Sequence, residues 1–163
     1  MDTVALPPAQ IRTSPSGLEF IMKHEGMRTY AYQDSAGIWT ICVGATRDMN
    51  GYPVRKGLKY DVEDCLVLLD RDIQESARST QRYIRAPLFQ NEFDALVSFS
   101  FNVGGPALST STLRKVINGD VKGSPYNEFL RWDKVTIQGK KVSIPGLKNR
   151  RIGEANLYTY GTY

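Results

Sequence analysis

The hydrophobic positions recur first at helical and then at strand spacing. Leu18, Ile21, Met22 and Glu25 fall at i, i+3, i+4 and i+7, which predicts one face of an amphipathic helix. Ser16 and Glu19 have the spacing of a capping box at its start, and Gly26 supplies a stop. On this reading Glu25 shares the buried stripe, where an apolar interior would raise its carboxyl's proton affinity. Thr29–Gln33 then alternates like a strand, Asp34-Ser35-Ala36-Gly37 reads as a tight turn, and Ile38–Val43 as the returning strand. Gly44, Gly51, Pro53 and Gly57 keep the next stretch in turns, with room for a short third strand.

Beyond Asp61 the period is helical. Asp61 is placed to cap a long helix running to about Tyr83, with Val62, Leu66, Leu69 and Ile73 as its stripe. Another helix starts near Asn91 and carries Phe93, Leu96, Val97 and Phe101, apolar on most sides as a central helix is; Gly104-Gly105-Pro106 closes it. Thr110 or Ser111 caps a short helix to Asn118, and Ser124-Pro125 opens a second. Residues 134–144 alternate around Gln138-Gly139 as a hairpin or extended loop, and Leu147 to about Tyr158 forms the last helix.

The expected class is α+β: a small antiparallel β region, about residues 16–60, and a predominantly helical lobe, about 61–163, with a cleft between them. With 163 residues and no repeat, low-complexity tract or linker, two lobes of one domain fit better than two domains. Residues 1–13, with Pro7-Pro8, read as a loosely held lead-in. No apolar run is long enough to cross a bilayer, and the start lacks the pattern of a signal peptide. The net charge of +4 favours anionic material, be it nucleic acid, lipid or wall polymer, or serves solubility alone. Cys42 and Cys65 with the single His24 do not have the spacing of a zinc site. A Cys42–Cys65 disulfide and two buried thiols both remain open.

Candidate chemistry gathers where helix meets hairpin. Glu25, Asp34 and Thr40 offer two carboxylates and a hydroxyl, the groups that acid–base hydrolysis of a glycosidic bond requires. The spacing alone is weak, and Asp34 as an ordinary turn former is its main rival. His24 adjoins Glu25 and points about a hundred degrees away around the helix, so an exposed, non-catalytic histidine is expected. Asn102 either reaches the cleft or caps its own helix. Trp39 and Trp132 are read as core rather than sugar platforms.

The segment EGMRTYAYQDSAGIWTICVGAT resembles the active-site region of phage-type lysozymes, a glycoside hydrolase family that includes endolysins. Ser98–Gly104 resembles that family's central-helix motif, and Ser111-Thr112-Leu113 the short helix after it. Arg131-Trp132 and Gly146-Leu147-Lys148-Asn149-Arg150-Arg151 resemble its C-terminal signature, so the likeness runs from about residue 16 to residue 158. It implies a muramidase cutting the β-1,4 bond between N-acetylmuramic acid and N-acetylglucosamine. Glu25 would be the acid, Asp34 the ionised partner and Thr40 the holder of water or of the developing centre. A carboxyl gap of ~6.5–9.5 Å, the one expected here, would give inversion. Arg150 matches the arginine the family sets against the catalytic glutamate; a surface bridge to Glu154 is the alternative.

The family pattern commonly has glycine, an aromatic and histidine where this chain has Cys42, Val43 and Ala45. Ala45 has no imidazole with which to make a cleft contact at that position. The expected biology is a phage endolysin: a monomer without metal or cofactor, acting on peptidoglycan and not on nucleic acid or within a membrane. It would accumulate in the host cytoplasm and reach periplasmic wall through a holin. A secreted antibacterial effector, a virion-borne lysozyme and a non-catalytic glycan-binding module are the rivals.

Overall fold

The computed structural model describes residues 4–163. The chain divides into two compact units, Leu18–Gln74 and a second made of the chain up to Gly17 with Glu75–Tyr163.

The first unit holds most of α1 (Pro15–Glu25), the hairpin β1 (Arg28–Gln33) and β2 (Trp39–Cys42), and α2 (Val62–Asp72). The strands are antiparallel, pairing Tyr32 with Thr40 and Gln33 with Trp39, with an irregularity between Arg28 and Tyr32. The short third strand is reduced to bridging bonds: Ala31 N–H donates to the Leu58 carbonyl, and Tyr60 N–H to that of Thr29, each within 2.9 Å. Ile41, Cys42, Ala45, Val54, Cys65 and Leu68 form the core, with Met27, Ala31, Trp39, Leu58 and Tyr60 packed on it. A Cys42–Cys65 disulfide joins β2 to α2, which resolves the alternatives the sequence left open.

Two sequence expectations for these helices shift. The α1 cap is Ser14, whose hydroxyl accepts from Gly17 N–H at 3.0 Å, rather than Ser16. The stripe that α1 buries runs through Gly17, Phe20 and Ile21, with His24 half-buried, so Glu25 lies off it and is exposed. Asp61 does cap α2, accepting from Asp64 N–H at 2.8 Å. The long helix ends at Ile73, however, and Gln74–Tyr83 is a separate α3. The amide of Gln74 donates to the Asp70 carbonyl at 2.8 Å, supplying a hydrogen bond where the backbone ladder is interrupted.

The second unit is built on α4 (Gln90–Val103), where every residue from Phe93 to Ser100 is buried. It packs against α8 (Pro145–Tyr160), as does α7 (Pro125–Leu130). Between α4 and α7 come α5 (Gly105–Thr110) and α6 (Thr112–Ile117). The sequence reading missed α5: Gly104, at φ +95°, ends α4, and Pro106 sits in the first turn of the next helix instead of breaking one. Ser111 caps α6 and Ser124 caps α7, each accepting a backbone N–H three residues on. The hairpin β3 (Lys134–Ile137) and β4 (Lys140–Ser143) turns at Gln138-Gly139, both with positive φ, as a tight two-residue turn requires.

The lead-in is not loose from Leu6 onward; residues 1–3 lie outside the described part. Leu6 and Leu88 exchange backbone hydrogen bonds of 2.9 Å in both directions, and Ile11 is buried. The side chains of Gln81 and Gln90 donate to the carbonyls of Ile11 and Arg12.

Candidate active site

Glu25 is the last residue of α1. Gly26, at φ +81°, ends the helix there and donates its N–H to the Met22 carbonyl at 2.9 Å. The carboxylate therefore stands at a fixed point between helix and strand, on the solvent side. Burial of Glu25 on an apolar stripe, expected above, is thus not what the structure has.

Asp34 occupies the first position of the β1–β2 turn, and its side chain builds that turn. Oδ1 accepts from Ala36 N–H at 2.8 Å and Ile38 N–H at 2.9 Å. The backbone closes the turn with Asp34 N–H to the Ile38 carbonyl and Gly37 N–H to the Asp34 carbonyl, both 2.9 Å. Gly37 has φ +80°, a conformation that costs a residue with a Cβ. Both turn bonds accepted by the side chain go to Oδ1, so Oδ2 takes no part in building the turn. The turn-forming role of Asp34 is therefore real, and it occupies one oxygen of two.

Thr40 lies on β2, buried, opposite Tyr32. Its hydroxyl donates to the Ile38 carbonyl at 2.9 Å. A hydroxyl has one proton, so once that is committed the oxygen has only acceptor capacity to offer. Glu25, Asp34 and Thr40 all belong to the Leu18–Gln74 unit.

His24 is half-buried, its ring 4.6 Å from that of Phe20, and not exposed as expected. Trp39 packs on the core of the first unit. Trp132 packs edge-on against Phe99 with centroids 5.4 Å apart. Both tryptophans serve packing. Ala45 is buried and exchanges two backbone hydrogen bonds with Ile41, so the position where the family pattern has histidine is core here.

Arg150 and Asn102 belong to the second unit. The Arg150 guanidinium lies 3.2 Å from Glu154 Oε2 and donates to the Ser98 carbonyl at 3.0 Å. The Glu154 bridge that the sequence weighed as a surface pair is instead buried, both residues being at most 5% exposed. Arg151, also buried, lies with Nε 2.8 Å from Glu154 Oε1 and stacks over the Phe99 ring. Burial pushes the Glu154 carboxyl up, and the two arginines and the Ser98 hydroxyl oppose it. Asn102 does not cap its helix: its side-chain oxygen accepts from Arg151 at 2.8 Å. Sequence reasoning missed Ser98, Arg151 and the shared role of Glu154. The Arg150/Glu154 spacing of four was the available signal, but it does not report depth.

Among the described residues no three His, Cys, Asp or Glu side chains gather into a metal-binding group, and no helix is long and apolar enough to cross a membrane.

A sequence model of the phage lysozyme family matches residues 22–154. Over 146 residues the chain is 38% identical to the endolysin of Acyrthosiphon pisum secondary endosymbiont phage 1, spanning 89% of this chain and 96% of the relative. It is 40% identical over 130 residues to the SAR-endolysin of Pseudomonas phage phiKMV, spanning 80% of this chain and 78% of that one. Its fold is similar to that of an endolysin from Escherichia coli O157:H7 phage FAHEc1, with a TM-score of 0.83 and 40% identity over 94% of this chain and 97% of that one.

Proposed function

Because this chain belongs to the phage lysozyme family, as a peptidoglycan-degrading muramidase that serves host lysis, we propose a division of labour among Glu25, Asp34 and Thr40. The bond cut is the β-1,4 linkage between N-acetylmuramic acid and N-acetylglucosamine. Glu25 gives its proton to the glycosidic oxygen as that bond breaks. A water attacks the anomeric carbon from the opposite face, passing its proton to Asp34.

The observation that carries this reading is that Asp34 and Thr40 are both bonded to Ile38. Thr40 Oγ1, its own proton committed, accepts one hydrogen from the water. Asp34 Oδ2 accepts the other. Two acceptors on the water's hydrogens leave an oxygen lone pair for the sugar carbon, which is what a general base mechanism with inversion requires. In the helical unit, Arg150 and Asn102 are proposed as support residues, held by Glu154, Ser98 and Arg151.

The proposed setting is accumulation of a monomer in the host cytoplasm, release through a holin, and attack on periplasmic wall. Clearing of outer-membrane-permeabilised Gram-negative cells tests the enzyme reading. The wild type clears the suspension and Glu25→Gln does not; equal clearing by both removes Glu25 from the chemistry. Binding of wall without clearing by the wild type leaves only a glycan-binding module.

A further inference from the structure

The β3–β4 hairpin is a ribbon with two unlike faces, both exposed. Its register pairs Val135 with Val142 and Ile137 with Lys140, and, on the alternate positions, Lys134 with Ser143 and Thr136 with Lys141. Cross-strand partners share a face. One face thus carries Val135, Val142, Ile137 and Lys140, and the other Lys134, Thr136, Lys141 and Ser143. All eight are exposed, the three apolar residues at 38%, 40% and 49% in the order Val135, Val142, Ile137. A two-stranded ribbon buries too little to stand by itself. This one is fastened at its base through Asp133, which accepts from Ser143 Oγ at 2.8 Å and Lys134 Nζ at 2.9 Å, while its carbonyl takes Ile144 N–H. Neither the fastening nor the proposed chemistry uses the apolar face.

We propose that this hairpin docks the protein on the surface of an anionic phospholipid bilayer. Charge complementarity selects that partner. Residues 134–143 contain three lysines and no carboxylate, and the adjoining Asp133 is already paired with Lys134. The apolar side chains enter the boundary between headgroups and acyl chains, as interfacial segments do. Lys140 lies on the same face at the tip, where its stem follows the apolar residues and its ammonium meets phosphate. Lys141 on the other face adds attraction to an anionic leaflet. Hydrated wall glycan would satisfy the lysines but has only scattered methyl groups and sugar C–H faces, not an apolar phase that removes Val135, Ile137 and Val142 from water.

Sedimentation of the full chain with vesicles tests this. Phosphatidylethanolamine vesicles containing phosphatidylglycerol are expected to carry the protein down, and pure phosphatidylcholine vesicles to carry roughly tenfold less or lower. Lys140→Ser/Lys141→Ser and Ile137→Ser/Val142→Ser are each expected to weaken partitioning about tenfold, with the circular dichroism spectrum unchanged. In Ile137→Trp, brominated acyl chains are expected to quench the added fluorescence, which reads the site in a folded protein. No binding to anionic vesicles, equal binding by the hairpin variants, or no quenching overturns the proposal. So does a loss seen only on purified wall sacculi, which would assign the ribbon to glycan.

Discussion

Asp34 and Thr40 are held to one residue, Ile38, from two sides. The Ile38 N–H donates to Asp34 Oδ1 at 2.9 Å, and its carbonyl accepts the Thr40 hydroxyl at 2.9 Å. A turn and the strand behind it thus place a carboxylate and an acceptor oxygen without help from distant residues. The proposed water site is a property of a single hairpin.

Thr40→Val removes the acceptor while keeping the branched shape. Turnover is expected to fall by about a hundredfold, the scale on which misplacing an attacking group slows a reaction. Loss of a hydrogen bond to the Ile38 carbonyl costs only about 1 kcal/mol of stability. Thr40→Ser is expected to recover most of the rate. Turnover on wall fragments and urea unfolding of each variant check this; a Thr40→Val enzyme with full turnover would contradict it.

The disulfide and the backbone at Cys42 make separable contributions. Cys42 has φ +60°, in the region that favours glycine, and its bond to Cys65 spans a sequence separation of 23. Closing a loop of that size stabilises by roughly 3 kcal/mol in the chain-entropy account. Two double variants isolate the backbone effect. Cys42→Gly/Cys65→Ala is expected to be about 1 kcal/mol more stable than Cys42→Ala/Cys65→Ala, because only glycine adopts that φ at little cost. Urea midpoints of the two variants give the answer, and the reverse order would refute the account.

Glu154 is the shared carboxylate of Arg150 and Arg151, and all three are buried. Glu154→Gln keeps the volume but removes the charge both arginines face. Truncating one member of such a cluster typically destabilises by about 3–5 kcal/mol. A fall of that order in unfolding free energy is expected; a change under about 1 kcal/mol would place the arginines' balance elsewhere.

Asp94 sets a pH dependence of stability. Burial, the largest influence, raises its carboxyl's proton affinity, against donors from Ser14, Tyr163 and Gln90 that lower it. The folded chain then holds this proton more tightly than the unfolded chain. Its contribution is complete below the unfolded carboxyl's ordinary value and is lost as pH rises through the folded one. The stability difference between wild type and Asp94→Asn should therefore shrink from acid pH towards neutrality. Urea titrations across that range measure it, and a difference that grows with pH contradicts the sign.

Most of what the sequence disclosed follows how local each cause is; the α1 cap is the exception, since Ser14 and Ser16 both have capping chemistry and only the fold selects Ser14. The caps at Asp61, Ser111 and Ser124 act within three residues of themselves, so side-chain type and spacing reveal them. The Asp34 turn is legible for the same reason. The stripe of α1 was misplaced because Gly17 does not register in a hydrophobic count. It is buried, and a Cβ there would meet the Asp94 carboxyl carbon at 2.6 Å. The break at Ile73 hides because Gln74, an ordinary helix former, supplies the bond that accompanies it. The lead-in looked loose because its partner, Leu88, is 82 residues away from Leu6. At Arg150 the spacing to Glu154 was visible, but its depth depends on α4 packing against α8, which no local pattern encodes.

The configuration of the first-formed sugar product tests the hairpin-held water most directly. Proton magnetic resonance of a wall fragment or chitooligosaccharide, followed before mutarotation, should show the α-anomer appearing first from a β-linked substrate. Initial release of the β-anomer would mean a covalent, retaining route, and would remove water from the place that Asp34 and Thr40 are proposed to hold it.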